Sequence, residues 1–262
     1  MDGNSYLFKG VTLMVTHYNR SGSLERLLYA FEKLNCRFED IVVSDDGSKE
    51  EHIENLRKVQ SAVPFRLIRS EVNKGLGNNL NKGQAAVQTP YTLYVQEDFI
   101  PTEKFPPRFK DALSFMDSDP GIDIVRFYAY SSYPYLKYYN SGFYKMLIKP
   151  WYANYRKIYY YSDHPHLRRS SFNEKFGPYP EGLKGDRTEY RMCLNFIQRK
   201  GRGLFYGKYN ELFVQDNSDE PSTMKRKSWT TSKKPLISVV RNFYRQIRYN
   251  FDILFNKGSH QE

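Results

Sequence analysis

The sequence predicts an α/β fold built on a mostly parallel sheet with helices on both faces. Over the first half of the chain, short β-rich apolar runs alternate with segments whose apolar residues recur at helical spacing. A helix between successive strands is the arrangement that makes those strands parallel. Polar residues follow three of the strands, and ligands of such sheets bind beyond the carboxyl ends of the strands. The pattern therefore indicates both the architecture and the edge where a site should lie.

The elements follow from apolar spacing. The first strand is expected at residues 11–16, ahead of the polar sequence HYNR. Leucine and phenylalanine at helical spacing predict a helix over residues 21–34, with Ser21 or Ser23 as its N-cap. Further strands are expected at 41–44, 65–68, 91–95 and 122–127, and further helices at 53–59, after the loop at Asn73 up to about Val87, and through 109–116.

The regular alternation stops after residue 128. Tyrosine-dense stretches broken by polar residues predict irregular structure and short strands laid over the sheet. One clear helix returns at about residues 188–200, closed by Gly201. The last segment, residues 228–262, is expected to be an appendage to the domain that precedes it.

Composition limits the partners and the compartment. The chain has 262 residues and 40 Lys and Arg against 29 Asp and Glu, a net charge of +11 that favours an anionic partner: a nucleotide, a phospholipid surface or nucleic acid. No apolar run reaches the roughly 18–20 residues that cross a bilayer, and the first residues do not resemble a secretory signal. Cys36 and Cys193 match no metal-binding spacing, so we expect free, buried thiols in a reducing cytoplasm.

Acidic and polar residues gather where the parallel strands end. Thr16–Asn19 follow the first strand, Asp45–Ser48 the second and Gln96–Asp98 the fourth. Like charges on one rim repel, so a bound cation or polar ligand would stabilise them. The sequence DDGS alone is also explained as a turn, because Asp and Gly favour turns. The three strand ends together favour a ligand site.

Four motifs in order carry a family resemblance: THYNR, IVVSDDGS, NKGLGNNLNKG and YVQEDFIP. They resemble the nucleotide-binding half of inverting family 2 glycosyltransferases of the bacterial polysaccharide-biosynthesis type. The resemblance covers about residues 9–103 and continues through FNEKFG, TEYRMC and RKGRG to about residue 203. It implies a GT-A fold over residues 1–227, with the nucleotide-binding half at about 9–103, an acceptor half at about 128–227, and a basic amphipathic tail over 228–262.

The resemblance assigns nucleotide contacts. In the family, an aspartate after the second strand accepts hydrogen bonds from a uracil N–H or a ribose hydroxyl, and residues after the first strand pack around the base. The residues implied at the nucleotide here are Thr16, Tyr18, Asp45, Asp46, Asn73, Lys74 and Gly75. Uridine is expected from family habit.

The resemblance also implies a divalent metal on the donor diphosphate. Its ligands come from the acidic motif after the fourth strand, where many relatives have two or three aspartates and this chain has QED. Asp98 is the expected ligand and Glu97 the second, while Gln96 occupies a position that is often acidic. Carboxylate and phosphate oxygens suit Mg²⁺ or Mn²⁺, which would stabilise the leaving nucleoside diphosphate.

An inverting transfer needs a base for the acceptor hydroxyl, and relatives place a carboxylate at the start of a helix. Asp186 and Glu189 are the candidates. Glu189 shares the apolar side of its helix with Met192 and Cys193, so it is the expected base and Asp186 the alternative. A first-turn acid that stabilises the helix dipole is the competing structural explanation. A role near the acceptor for Asp163 or His164 also stays open.

The tail after Pro235 has apolar residues at helical spacing and Arg241, Arg245 and Arg248 on another face. Such a helix is typical of a membrane-surface helix, which the arginines favour, or it docks its apolar stripe onto the domain. Residues 225–227, which are basic, could flank the diphosphate or face solvent.

The expected function is transfer of a sugar from a nucleotide diphosphate donor, a UDP-sugar, to a hydroxyl of a lipid-linked glycan, by a hexosyltransferase at the inner face of the membrane. A nucleotidyltransferase would need a Gly-rich phosphate loop, and HYNRSGS has a single Gly. A basic nucleic-acid binder would not gather acids that repel phosphate, so no nucleic-acid partner is expected. An inactive relative stays open because QED and TEY depart from the usual acids.

Overall fold

The computed structural model describes residues 5–149, 151–217, 220 and 235–256. The strands are β1 (Tyr6–His17), β2 (Cys36–Asp45), β3 (Arg66–Arg69), β4 (Tyr91–Gln96), β5 (Phe99–Pro101), β6 (Ile124–Arg126), β7 (Leu136–Asn140), β8 (Phe143–Met146), β9 (His166–Arg169), β10 (Gly203–Tyr206) and β11 (Phe213–Gln215). The helices are α1 (Ser21–Lys33), α2 (Glu50–Ala62), α3 (Leu76–Ala85), α4 (Phe105–Ser118), α5 (Phe172–Phe176), α6 (Gly185–Gln198) and α7 (Pro235–Phe255), with a 3-10 helix at Tyr155–Tyr160.

A mixed sheet with a parallel core organises the domain. Within the described residues its strand order is β3-β2-β1-β4-β9-β6-β10-β8-β7, and β5 pairs with β11 apart from it. β1 is parallel to β2 and β4, β2 to β3, and β6 to β10. β9 runs antiparallel between β4 and β6, and the β7–β8 hairpin extends the sheet beyond β10. The predicted α/β class with a mostly parallel sheet is confirmed.

Two apolar clusters cover the two faces of the sheet. Successive side chains of a strand point to opposite faces, so in β1 Leu13 and Val15 join one cluster and Met14 joins the other. The first cluster takes the buried sides of α1, α2 and α4, and the second those of α3, α5 and α6. Helices therefore pack on both faces, as expected.

The segment expected to form irregular structure and short strands laid over the sheet instead contributes a strand inside it. β9 places Arg168 in the middle of the sheet with its side chain fully buried. Arg168 is retained there because it donates to the Gln84 amide oxygen, 2.6 Å away, and to the Tyr179 hydroxyl. A charged pair in HLRR favours an exposed segment, so the expectation was wrong at this strand. His166 is likewise buried in β9.

Helix α6 begins earlier than expected. It starts at Gly185 instead of about residue 188, and the Thr188 N–H already donates to the Lys184 carbonyl, 3.0 Å away. Asp186 therefore lies in the first turn and Glu189 one turn further on. The stabilisation that a helix N-terminus gives to acids applies to Asp186, because the effect is confined to the first turn.

Both cysteines are free and buried, as predicted. None of the helices in the described part of the chain combines the length and apolarity needed to cross a bilayer.

Close packing between α3 and the chain before α6 generates a stability prediction. A Cβ on Gly77 would lie 2.2 Å from the Pro180 carbonyl oxygen. We expect Gly77→Ala to lower the free energy of unfolding by about 1–3 kcal/mol, because a backbone group must move. Urea denaturation measures this.

Gly22→Ala, in α1, is the matched control. Its Cβ would meet the Glu220 carboxylate at 3.4 Å, an ordinary contact. We expect it to change the free energy of unfolding by no more than about 1 kcal/mol, in the stabilising direction, because Ala has the higher helix propensity. Equal destabilisation by both variants would show that close packing at Gly77 is not the cause.

Candidate active site

The sheet brings the three predicted strand ends together. His17 pairs in register with Asp45, and Thr16 with Gln96, so the carboxyl ends of β1, β2 and β4 share one edge. This edge, with residues 16–20, 45–48, 73–75 and 96–98, is called the strand-end rim below. It holds each residue that the resemblance implies for the nucleotide and the metal.

Asp45 makes its closest side-chain contacts with other residues of the rim. Its side chain is fully buried, and the His17 Nδ1 lies 2.7 Å from Oδ1 while the Ser48 N–H donates to Oδ2 over 3.0 Å. Burial would raise the pKa of the carboxyl, but the hydrogen bonds with His17 and Ser48 outweigh it and lower the pKa. Its described contacts fix the turn, and its role as a nucleotide contact stays a prediction.

Asp46 joins two motifs. Its oxygens accept hydrogen bonds from the backbone N–H groups of Lys74, at 2.8 Å, and Gly75, at 2.9 Å. Gly47 allows this approach, because it has φ +73° and a Cβ would lie 2.5 Å from the Val72 carbonyl carbon. Burial raises the Asp46 pKa against the lowering effect of the two bonds. Asp46 therefore positions the loop 73–75.

The other implied nucleotide residues differ in exposure. Asn73 and Lys74 have exposed side chains, and Asn73 caps the Gly75 N–H with its own side-chain oxygen at 3.1 Å. Tyr18 is half-buried after β1, whereas the Thr16 hydroxyl is buried, 3.0 Å from the Tyr94 hydroxyl. The loop and Tyr18 thus offer surface to a ligand, and Thr16 contacts the interior.

Arg20 links the acids after β4. Its Nη1 lies 3.1 Å from a Glu97 oxygen and 3.6 Å from Asp98 Oδ2. Gln215, from β11, donates to the same Asp98 oxygen over 2.9 Å. Burial and the Asp98 charge raise the pKa of Glu97. Arg20 thus lets two adjacent carboxylates lie together at low exposure.

The two side-chain oxygens of Asp98 differ in their contacts. Asp98 Oδ1 is buried and accepts no hydrogen bond within the part of the chain that the structure describes. An unsatisfied buried acceptor costs about 1–3 kcal/mol, and more when charged, so a bound ion or water would be stabilised there. This single hard oxygen beside Glu97 fits Mg²⁺ or Mn²⁺. Among the described residues no three His, Cys, Asp or Glu are arranged as a metal site, so phosphate or water oxygens would complete the coordination.

Glu189 and Asp163 form a second acidic group. The Asp163 N–H donates to Glu189 Oε1 over 3.1 Å, whereas Asp186 is exposed. The Asp163 carboxyl is buried, accepts from the Tyr161 hydroxyl at 3.1 Å, and has its pKa raised well above the usual range by burial and by the Glu189 charge. A raised pKa lets one of two neighbouring carboxyls hold a proton while the other stays a base.

Tyr94 connects the two acidic groups. Burial raises its pKa well above the usual value, and the charges of Asp163 and Glu97 both add to the shift. Its hydroxyl bonds Thr16, at the end of β1. Tyr94 therefore lies near a carboxylate of each acidic group.

Sequence reasoning missed three contributors to the site. Arg20 belongs to the motif THYNR at the end of the first strand. A basic residue there could have been predicted to pair with the acids at the other strand ends. Lys82, whose ammonium donates to the Asp45 carbonyl and, over 2.7 Å, to Ser70, lies in NLNKG. Gln215 reaches Asp98 from 117 residues away, and no local pattern marks it.

Comparison with known proteins identifies the family of this chain. The family model described as glycosyl transferase family 2 matches residues 12–177. Poly-beta-1,6-N-acetyl-D-glucosamine synthase of Staphylococcus aureus (strain MSSA476) is 26% identical over 98 residues, which are 37% of this chain and 24% of that protein. The Staphylococcus epidermidis synthase is 24% identical over 92 residues, 35% of this chain and 22% of the relative. The chain thus matches about a quarter of the length of these curated relatives.

Solved structures share the fold. S. aureus TarS 1–349 in complex with UDP-GlcNAc superposes with a TM-score of 0.62 at 16% identity, over 94% of this chain and 66% of that one. The mannosyltransferase PcManGT from Pyrobaculum calidifontis, in complex with GDP-Man and Mn²⁺, gives 0.55 at 14% identity, over 91% and 64%. The expected GT-A fold is confirmed by these likenesses. Because the family model matches more than half of the chain, including the whole strand-end rim, the chain belongs to glycosyl transferase family 2.

Proposed function

We propose that this glycosyltransferase moves a sugar from a UDP-sugar to a hydroxyl of a glycan, with inversion at the anomeric carbon and with the help of Mn²⁺ or Mg²⁺. The observation that carries the proposal is the buried Asp98 Oδ1, which accepts no hydrogen bond from the described residues, on the rim where Asp46 holds the loop 73–75. The fold likeness to TarS, solved with UDP-GlcNAc, supports a UDP-sugar donor.

The rim would bind the donor in two parts. The loop 73–75 and Tyr18 lie where a nucleoside could be held, with Asp46 fixing the loop. Asp98, with Glu97 as second ligand, would hold the metal, which neutralises the charge that develops on the leaving diphosphate. The fold likeness to PcManGT, solved with Mn²⁺, supports this choice of ion.

Glu189 would take the proton of the acceptor hydroxyl during a single displacement. Its carboxylate is held by the Asp163 N–H, and Asp163 itself favours the protonated form. A carboxylate held in one place by a backbone N–H is suited to act as a general base.

We further propose that the acceptor is a lipid-linked glycan and that transfer takes place at the inner face of the cell membrane. The support is the matched poly-beta-1,6-N-acetyl-D-glucosamine synthase, whose product is a polysaccharide, together with the net charge of +11. Anionic phospholipid attracts a protein of this charge.

The metal assignment is tested by assaying a panel of nucleotide sugars for hydrolysis and transfer. We expect activity with a UDP-sugar that EDTA abolishes and Mn²⁺ or Mg²⁺ restores, and we expect Asp98→Asn to lower it by at least about 10²-fold. Asp117→Asn, on α4 and exposed, is the control and should keep parent activity. Full activity in chelator would contradict metal dependence.

The assignment of the base is tested by paired variants on α6. We expect Glu189→Gln to slow transfer by about 10²–10⁴-fold while nucleotide binding is kept, because a positioned base is lost. Asp186→Asn, an exposed acid one turn earlier, is the control and should be mild. The reverse ranking would move the base to Asp186.

Inversion is read directly from the product. We expect the anomeric proton coupling constant in NMR to show the configuration opposite to that of the donor. A retained configuration would reject a single displacement, whichever residue is the base.

The raised Asp163 pKa has a consequence for stability. The Asp163 carboxyl contributes to the free energy of unfolding. This contribution is fully present below the ordinary Asp pKa of about 3.9 and is lost as pH rises through the higher folded-state pKa. Asp163→Asn removes this loss. We therefore expect the variant to gain stability relative to the parent as pH rises from about 4 to 8.

Urea denaturation at a series of pH values measures this gain. Asp186→Asn, whose carboxylate is exposed, should show a flat difference from the parent. A flat difference for Asp163→Asn as well would mean that the Asp163 carboxyl is not perturbed in the folded protein.

A further inference from the structure

Helix α7 exposes an apolar face. Phe243 and Leu254 are each 67% exposed, and Ile247 and Phe251 are 58% and 59% exposed. With Val240 they recur every three or four residues and form one stripe along the helix, the α7 stripe. A stripe of this kind normally faces the protein core, so its exposure needs a partner.

The helix docks on the domain through its other side, where Tyr249 and Ile253 pack against the second apolar cluster and polar groups form hydrogen bonds. The side chains of Gln246 and Asn250 donate to the Ala153 carbonyl oxygen at 2.6 and 2.7 Å. The Tyr190 hydroxyl, next to Glu189 in α6, donates to Asp252 over 2.5 Å. The alternative that the tail packs its apolar stripe onto the domain is therefore wrong. These contacts hold the helix so that the stripe points away from the protein.

Both borders of the stripe carry groups suited to a lipid headgroup region. At 3.6 residues per turn, Arg241 and Arg248 fall on one border. Near the other border, Ala153 is preceded by Trp151, which is 72% exposed and has the Lys149 ammonium 5.4 Å from its ring centroid. Tryptophan and basic residues are enriched where proteins meet the bilayer–water interface.

A cavity beside the helix has the same chemistry. It encloses about 640 Å³ between β8, the α6–β10 connection and α7, and Leu254 of the stripe lines it. Its cations are Lys145, Lys149, Lys157, Lys200 and Arg202, and the described residues around it include no carboxylate. Positive charge next to exposed apolar surface suits an anionic amphiphile.

We propose that the α7 stripe binds the surface of an anionic phospholipid bilayer, with α7 lying in the membrane plane. A second copy of the chain would fit less well, because two basic borders on chains of net charge +11 would repel. The link to a lipid-linked acceptor rests on the proposed function. Bilayer binding itself needs no donor, metal or acceptor, so it is measured independently of transfer.

Cosedimentation of the full chain with vesicles tests the proposal, using phosphatidylcholine alone or mixed with phosphatidylglycerol at low salt. We expect binding to the mixed vesicles that weakens as salt is added. Phe243→Glu and Ile247→Glu should each reduce partitioning about tenfold or more, because apolar contact is lost and a negative charge is added. Arg248→Gln should reduce it about fivefold.

Leu7→Glu is the matched control, since Leu7 is 60% exposed on β1, outside α7, and should bind like the parent. Circular dichroism and thermal unfolding establish that each variant is folded. The proposal is overturned if the parent ignores anionic vesicles, or if folded Phe243→Glu binds as the parent does. A parent dimer in light scattering that Phe243→Glu converts to a monomer, without vesicle binding, would assign the stripe to self-association instead.

Discussion

Repulsion between carboxylates at one edge of the sheet is the constraint on which the rest of this site depends. The parallel order of β2, β1 and β4 places Asp45, Asp46, Glu97 and Asp98 at neighbouring strand ends. Each acid is stabilised by a different group: a histidine and a serine for Asp45, backbone N–H groups for Asp46, and Arg20 for Glu97. Asp98 receives Gln215 on one oxygen and keeps the other unpartnered within the described chain. The protein thus neutralises most of the negative charge and leaves one hard oxygen for a ligand.

The second half of the fold also places two carboxyl groups close together. β9 inserts antiparallel into the sheet and brings Asp163 to Glu189 of α6. Burial raises the Asp163 pKa, and the charges of two buried arginines lower it in part. Desolvation and charge therefore act on this pKa in opposite directions. Arg168 contributes to this balance from the centre of the sheet. β9, which buries the charged Arg168, therefore affects the pKa of the carboxyl next to the candidate base.

The sequence was sufficient for features set by local pattern. Apolar spacing located β1 to β4 and α1 to α4, and parallel topology then implied which polar residues meet at the rim. Asp98 and Glu97 could be ranked by resemblance alone, and that ranking stays a prediction. Features that depend on distant contacts could not be found in this way. Gln215 reaches Asp98 across the fold, and buried Arg168 in β9 is stabilised by Gln84 and Tyr179, which accept its hydrogen bonds. The tail helix was predicted from its apolar spacing. Its hydrogen bonds from Gln246 and Asn250 to the Ala153 carbonyl join distant parts of the chain and could not be predicted.

The measurement that tests the central claim most directly is a calorimetric titration of UDP into the protein with Mn²⁺ and, separately, in EDTA. If Asp98 Oδ1 accepts a metal that the diphosphate also binds, UDP should bind at least about tenfold more tightly with Mn²⁺, a difference of about 1.4 kcal/mol. Asp98→Asn should lose that difference while it keeps the weaker, metal-free binding. Equal UDP affinity in Mn²⁺ and in EDTA for the parent protein would contradict the proposed site.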